Sequence, residues 1–592
     1  MPDDGSPREP DSEAFLGVSR SLTGRRWVGP TPADARRAEA LAQRLGLPPA
    51  VASVLARQGV EPDVAETYLA PTLRDLLPDP RRLADAEKAA AALNAAVAAR
   101  ARVAIFADYD VDGAASAALL SDWLSAHGLR PTLYVPDRID EGFGPNAPAM
   151  AALAAKHDLI VCVDCGTVSH AAIEAAAAAQ VLVIDHHLGD DTRPPAHAVV
   201  NPNRPDEPGD LGHLCAAAVV FLTLVEANRQ ARATGRTAPD LMPSLDLVAL
   251  ATVADVAQLT GVNRALVTTG LKVMARRARP GLRALADAAG LAEAPRAFHL
   301  GYVLGPRINA GGRVGRADLG ARLLSTQDSD EAQEIAGRLE DLNRARRDIQ
   351  AEVTQEALAQ AEERGLDAPL VWAAGAGWHP GVVGIVAARL KEASGRPAVV
   401  IALEGDRGTG SARSVSGIDL GAAVHRLAAE GYLLKGGGHA MAAGLTVAVD
   451  RMAEAMDRLG ELLARQGAGD LGPRPLALDG LLMPGGATLD LLDALDAAGP
   501  FGAGAPAPRF ALPAMTVRRA QPVGAGHLKL TLSDGTGTRL DGIAFGAEET
   551  RLGPALRGHD GARFHVAGTL ERNCWNGRTR VQLCVEDAAP AA

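Results

Sequence analysis

The sequence predicts an α/β protein: two α/β lobes joined by one long helix, followed by a small β-barrel. Three observations carry that prediction. Between residues 100 and 260, short continuous apolar runs end abruptly in carboxylates and alternate with Ala-rich helical stretches, the mark of βαβ units. Over 328–364, Ile335, Leu339, Leu342, Ile349 and Val353 recur at three- and four-residue steps or their sums with charges between them, which describes a long helix with one apolar face. After residue 507 the period becomes two: Leu528, Leu530 and Leu532 alternate with polar residues, as do Val581, Leu583 and Val585, and Asn576-Gly577 is a hairpin turn between strands.

The elements follow in order. Residues 1–30 are rich in Pro, Asp, Ser and Arg without hydrophobic period and are expected to be a disordered arm. Residues 31–95, rich in Ala, Leu and Arg, are expected to form a helical N-terminal cap. Residues 96–275 hold the apolar runs Val103–Phe106, Leu159–Val163, Val181–Ile184 and Val199-Val200. These runs are continuous rather than alternating, as a mainly parallel sheet covered on both faces requires. Residues 276–327 continue the first lobe as a basic helical segment; from Lys272 to Arg316 nine basic side chains face two acidic ones. The helix over 328–364 would reach about 50 Å at roughly 1.5 Å per residue. A Gly-rich second α/β domain occupies 365–465, and beyond a Gly/Pro-rich linker the barrel occupies 474–592.

Composition bounds the function. The chain has 592 residues, enough for about three to five domains, and its 47% hydrophobic content excludes general disorder. With aromatics at 3%, the cores must be aliphatic. No apolar run is long enough to span a bilayer, and the start lacks a basic end and apolar stretch, so a cytoplasmic protein without membrane partners is expected. Five cysteines suit reduced thiols better than a disulfide framework. The net charge of −11 excludes indiscriminate binding to nucleic acid, so any polyanion site must be concentrated.

The chemistry lies at the ends of the buried strands. The first ends in Asp108-Tyr109-Asp110-Val111-Asp112-Gly113, three carboxylates within five residues. Three anions so close repel one another unless a divalent cation compensates them. A calcium loop of the EF-hand kind is disfavoured, because its twelfth position is Leu119 where a Glu is needed and a buried strand stands where it needs a flanking helix. The second strand ends in Asp164 and the third in Asp185-His186-His187, so the same sheet edge collects Asp and His from three strands. Such a mixed set suits Mn²⁺, Mg²⁺ or Zn²⁺, and its wealth of carboxylates points to two ions sharing a bridging ligand. Asp255, after the apolar stretch from Leu245, is expected to complete the set. Arg307 and Arg313 can offset phosphate charge, or else ion-pair with the acidic long helix. Cys162 and Cys165 flank Asp164, but Cys162 lies inside an apolar strand and no second pair sits at zinc spacing, so packing is the expected role. In the barrel, Trp575 and Phe564 are read as ordinary packing residues in preference to base-stacking ones.

At this point the sequence resembles the DHH phosphoesterase superfamily, and within it the branch of bacterial single-strand exonucleases. Four motifs match the superfamily: Asp108–Gly113, Val163-Asp164-Cys165-Gly166, Asp185-His186-His187 and Thr252-Val253-Ala254-Asp255. Two more match the branch: Leu304–Arg313, and Ser411-Ala412-Arg413-Ser414 together with Gly437–Gly444. The resemblance implies that the first lobe is a DHH domain, the second a DHHA1-like nucleic-acid-binding domain and the barrel an OB-fold. It implies two divalent cations, Mn²⁺ or Mg²⁺, held by Asp110, Asp112, Asp164, His186 and Asp255, with Asp164 bridging and Asp108 and His187 in or beside the ligand set. Asp112, Asp164, His187 and Arg307 are then the catalytic candidates, while Arg138, Asn309, Arg313, Ser411, Arg413 and His439 are phosphate- or substrate-binding candidates. Phe106 stands where the pyrophosphatase branch carries a His ligand, which counts against that branch. Ala107 stands where Gly is common in the exonuclease branch, and Gly436 where an aromatic is common.

The implied activity is hydrolysis of single-stranded DNA from the 5′ end to 5′-mononucleotides, in DNA repair and recombination. The alternative within the superfamily is a phosphodiesterase of short oligonucleotides or cyclic dinucleotides, which has no need of the barrel and basic segment. Single-stranded DNA is the implied partner; a single-strand-binding protein and a RecQ-type helicase follow from the resemblance alone.

Overall fold

The computed structural model describes residues 13–591 apart from 139, 140, 525 and 576. The chain divides into two compact units, residues 71–349 with 500–505, and residues 1–70, 350–499 and 506–592.

The first unit is built on a five-stranded, wholly parallel sheet in the order Thr132–Tyr134, Val103–Ala107, Leu159–Val163, Gln180–Ile184 and Ala198–Val200. The continuous apolar runs are explained by cores on both faces. Ile105, Ala107, Val161, Val163, Leu182 and Ile184 join helices Ala86–Ala99, Val111–Ala126, Ala216–Ala233 and Leu245–Ala254 in one core. The intervening Ala104, Phe106, Ile160, Cys162, Val181 and Val183 join helix Ala147–Ala154 in another. All five strands run the same way, so their carboxyl ends share one edge. The basic segment forms helix Pro280–Ala288, a π-helical stretch His299–Leu304 running into helix Gly305–Val314, and helix Leu319–Ser325.

Most of that segment's charge is spent locally. Arg279, with 8% of its side chain exposed, is clamped between Asp122 (2.8 Å) and Asp246 (3.0 Å). Arg277 pairs with Asp287, Arg296 with Glu293 and Arg316 with Asp318. The expected basic surface is therefore largely neutralised, because the compensating carboxylates come from helices distant in sequence as well as from neighbours.

The long helix runs from Ser329 to Arg364 and is continuous from one unit into the other. In the second unit a five-stranded sheet follows the order Lys435–His439, Ala442–Ala448, Arg407–Arg413, Ala398–Glu404 and Val371–Ala376, with only the last pair parallel. The barrel strands Phe510–Val523, His527–Ser533, Arg539–Ala544, Arg578–Pro590 and Arg563–Trp575 pair in that order, and the last closes onto the first. Leu528, Leu530 and Leu532 point inward with 0–1% exposure, as their alternation predicts. Phe564 packs into the same core. The side chain of Trp575, and Asn576 of the hairpin turn, lie outside the described residues.

Two expectations at the N-terminus are corrected. The expected arm over 1–30 is folded from residue 13 onward; residues 1–12 lie outside the described residues. Arg26–Val28 pairs in parallel with Pro475–Ala477, and Trp27 is fully buried with its Nε1 donating to Asp587 at 2.9 Å. Val18 and Trp27 pack on Leu476, Leu478, Ala511 and Ala589, partners more than 440 residues away that a local pattern cannot register. The expected cap over 31–95 is not one body. Pro32–Leu45 and Pro49–Arg57 belong to the second unit, whereas Ala86–Ala99 packs on the parallel sheet of the first.

Candidate metal centre

Three of the five strand ends and one helix end deliver ligand types to the same edge of the parallel sheet. Strand Val103–Ala107 stops at Asp108, and helix Val111–Ala126 starts at once because Asp110 caps it, its Oδ1 accepting from the N–H groups of Asp112 (2.9 Å) and Gly113 (3.1 Å). Gly113 permits this turn: a Cβ there would sit 2.4 Å from the Asp108 carbonyl oxygen. Asp112 is buried, and its two oxygens accept from the Ala216 (2.6 Å) and Ala217 (2.8 Å) N–H groups at the start of helix Ala216–Ala233, an anion on a helix N-terminus. Asp164, directly after strand Leu159–Val163, takes φ 59°, a left-handed conformation that an aspartate adopts at a cost of about 1 kcal/mol or more.

Asp255 comes from a helix end, not a strand tip, because the apolar stretch before it folds as helix Leu245–Ala254. A carboxylate at a helix C-terminus faces the negative end of the backbone dipole, an arrangement that a cation would relieve.

The donors converge in three overlapping sets, each within 4.8 Å: Asp108, Asp110 and Asp164; Asp112, His186 and Asp255; and Asp164, His186 and His187. His186 Nε2 lies 3.3 Å from Asp164 Oδ1 and 3.7 Å from Asp112 Oδ2, and its Nδ1 lies 3.9 Å from Asp255 Oδ2. Asp108 Oδ1 and Asp164 Oδ1 are buried without a hydrogen-bond partner. A buried carboxylate oxygen left bare is costly, and two of them amid five further donors form a site shaped for cations.

Electrostatics agree. Burial, reinforced by Asp110, raises the Asp108 carboxyl well above the usual range. Burial, then Asp112 and Asp110, does the same for Asp164. Asp112 is raised by burial, against the pull of His186, and Asp255 is pushed to about 8 by burial and by Asp112 and Asp110. Stripped of metal, the cluster would hold protons in place of cations.

Asp185 does a different task, which the sequence reading left unassigned. It is fully enclosed and accepts from the Thr167 N–H (3.0 Å) and hydroxyl (2.7 Å), from the His186 N–H (2.7 Å) and from His187 Nδ1 (2.7 Å). Its pKa stays below the usual range because the His187 ring and the Thr167 bonds outweigh burial. His187 rises correspondingly to about 9, burial being overcome by Asp185. Asn201 ties this turn down through Thr167 Oγ1 and the His187 carbonyl, both at 2.8 Å. The signal for Asp185 was its place at the head of the Asp-His-His motif; Asn201 offered none.

The remaining candidates fall in several places. Arg138 lies over the Tyr109 ring, 5.3 Å from its centroid, close enough to the cluster for its charge to act on Asp108. Asn309 keeps a buried Oδ1 without a hydrogen bond, and the Arg313 charge acts on Tyr109. Arg307 is committed elsewhere: Nε meets Glu340 of the long helix at 2.5 Å and Nη1 the Val303 carbonyl at 2.6 Å. The ion pair weighed against its expected catalytic role is thus present in the structure. In the second unit, Arg413 Nη1 donates to Ser411 Oγ at 3.1 Å, and Gly384 leaves room over both, since a Cβ there would come within 3.1 Å of each. His439 is exposed at the end of its strand, opposite Ala442.

Comparison with known proteins accords with this geometry. Models of the DHH family N-terminal domain, the DHHA1 domain and the RecJ OB domain match residues 102–252, 367–465 and 478–587. The single-stranded-DNA-specific exonuclease RecJ of Dickeya dadantii is 38% identical over 88% of this chain and 92% of its own, and that of Escherichia coli 36% identical over 92% and 96%. The crystal structure of RecJ from Thermus thermophilus in complex with Mn²⁺ superposes with a TM-score of 0.79 at 31% identity, covering 95% of this chain and 79% of that one.

Proposed function

The chain belongs to the RecJ family, and we propose that it is a metal-dependent exonuclease that hydrolyses single-stranded DNA from the 5′ end to 5′-mononucleotides. The observation that carries this reading is the convergence of five aspartates and two histidines around two bare, buried carboxylate oxygens. Asp108, Asp110, Asp112, Asp164, His186 and Asp255 are assigned to two divalent cations, Mn²⁺ or Mg²⁺, with Asp164 belonging to two of the three donor sets. Bound there, such a pair supplies a water of lowered pKa and a clamp on the scissile phosphate oxygens.

The chain's own groups do the rest. Asp185 holds the His187 ring through Nδ1, and this bond raises its pKa in the metal-free fold, so the ring is oriented with Nε2 turned from Asp185 as a donor towards phosphate charge. Arg138 adds a second cation beside the Asp108 turn. Ser411 and Arg413 are assigned to the terminal 5′-phosphate and His439 to the strand, while Asn309 and Arg313 contact phosphates near the metals. The RecJ OB domain match favours a long single strand over short oligonucleotides or cyclic dinucleotides. No described helix is long and apolar enough to cross a membrane. A cytoplasmic location is proposed from the DNA substrate, and a single-strand-binding protein and a RecQ-type helicase are the proposed partners in repair and recombination.

The test uses 5′- and 3′-labelled single strands with and without Mn²⁺. Release of labelled mononucleotide from the 5′ end first, lost with EDTA and in Asp164→Ala, is the expected result; 3′-end release, or hydrolysis that survives both, refutes it. For the phosphate assignment, Arg413→Ala should erase the preference for 5′-phosphorylated ends.

A further inference from the structure

Aromatic side chains are scarce in this chain and mostly covered, yet Phe298 and Tyr302 are 58% and 74% exposed. They stack on one another with centroids 5.1 Å apart and an interplanar angle of 25°. They are not a loop accident. Tyr302 lies within the π-helical stretch His299–Leu304, a rare geometry that concentrates at functional sites, and Phe298 immediately precedes it. His299, 5% exposed, braces Phe298 edge-on from below at 5.8 Å.

The pair is also tied to the metal centre. Gly301, between the two rings in sequence, packs beside Val253, where a Cβ would make ordinary van der Waals contact with its Cγ1 at 3.4 Å; Gly305 packs beside Ala254 in the same way. Val253 and Ala254 are the last residues of the helix that presents Asp255. Val256, directly after Asp255, is 71% exposed and held at φ 59°, a strained conformation for a β-branched residue.

We propose that the Phe298–Tyr302 pair is a base-stacking platform that seats unpaired nucleobases of the strand beside the Asp255 edge of the metal centre. The inference rests on the single-strand exonuclease reading above. Two exposed, mutually stacked, braced rings fit the faces of unpaired bases, which any sequence offers, and a polyanion is drawn to the donor cluster once cations fill it. A duplex offers no such faces, so the platform selects for single strands as well as holding them.

The experiment compares wild type with Phe298→Ala, Tyr302→Ala and the conservative Phe298→Tyr and Tyr302→Phe, on a uniform single strand in Mn²⁺. Each Ala variant should raise KM roughly fivefold or more, with kcat affected less than KM, and each aromatic exchange should restore it. A walk of single abasic sites along the strand should locate one or two positions that raise KM for wild type but not for the Ala variants, since a missing base cannot be missed twice. If wild type digests the strand and the Ala variants keep its KM, the platform is refuted while the exonuclease reading stands. If Ala and aromatic exchanges are equally impaired, or abasic effects persist in the Ala variants, the platform is also refuted. If wild type fails to digest the strand at all, it is the exonuclease reading that fails.

Discussion

Replacing Asp255 by Asn tests the electrostatics of the centre most directly, because it separates what the carboxylate costs the empty protein from what it provides to the loaded one. In the metal-free fold this carboxyl titrates near 8 against 3.8 in its ordinary state, through burial and the charges of Asp112 and Asp110. The folded protein therefore retains a proton that the unfolded chain has released, so this group makes stability fall as pH rises from about 4 to about 8. At about 1.4 kcal/mol per tenfold change in proton affinity, the penalty at pH 7 has an upper limit of about 4 kcal/mol, and relaxation of the empty site should reduce it to about 2. Asp255→Asn removes the charge, so EDTA-treated variant should melt higher than EDTA-treated wild type at pH 8, by about 2–4 °C per kcal/mol, with the gap closing by pH 5. Added Mn²⁺ should reverse the order, since wild type gains linkage stabilisation that the variant largely lacks. Thermal unfolding at pH 5 and 8, each with EDTA and with Mn²⁺, reads all four states. A variant less stable than wild type at pH 8 without metal, or equal gains from Mn²⁺, would refute a site that exists to be neutralised by cations.

Other consequences follow from single contacts. Asp185→Asn should bring the His187 titration down from about 9 to 6.5 or below, read by NMR of ¹³C-labelled histidine in the metal-free protein, and reduce activity roughly 10- to 100-fold without removing any assigned metal ligand. Gly113→Ala forces a methyl group against the Asp108 carbonyl, and should cost more than about 2 kcal/mol in denaturant unfolding together with most of the activity. Trp27→Phe removes the donor to the buried Asp587 and should destabilise the barrel-bearing unit by about 1–3 kcal/mol, whereas a dispensable arm would show no change. Arg307→Ala leaves Glu340 only its longer pairing with Arg347 at 3.7 Å; if the Arg307 pair only secures the long helix, Glu340→Gln should cost a comparable fraction of activity, and a loss confined to Arg307→Ala would point to phosphate contact by the arginine.

The sequence alone determined much of the centre. Carboxylates that end continuous apolar runs identify themselves: a run of five residues buried on both faces has to be a parallel strand, and its exit is the sheet edge where ligands gather. Hence Asp108, Asp110, Asp112, Asp164, His186 and His187 were all legible, as were the long helix and the inward leucines of the barrel. Tertiary structure decided the rest. A helix and a strand of similar apolar length read alike, so the sequence placed Asp255 after an apolar segment without saying which kind of element would present it. Arginines carry the same charge whether they face phosphate or Glu340, so a count of charges could neither choose between the two roles weighed for Arg307 nor foresee the local pairs of the basic segment. Residues 13–30 looked unstructured because the partners of Trp27 lie at the far end of the chain. Periodicity reports which face of an element is covered; what covers it is set by contacts hundreds of residues apart, and only the folded chain brings those together.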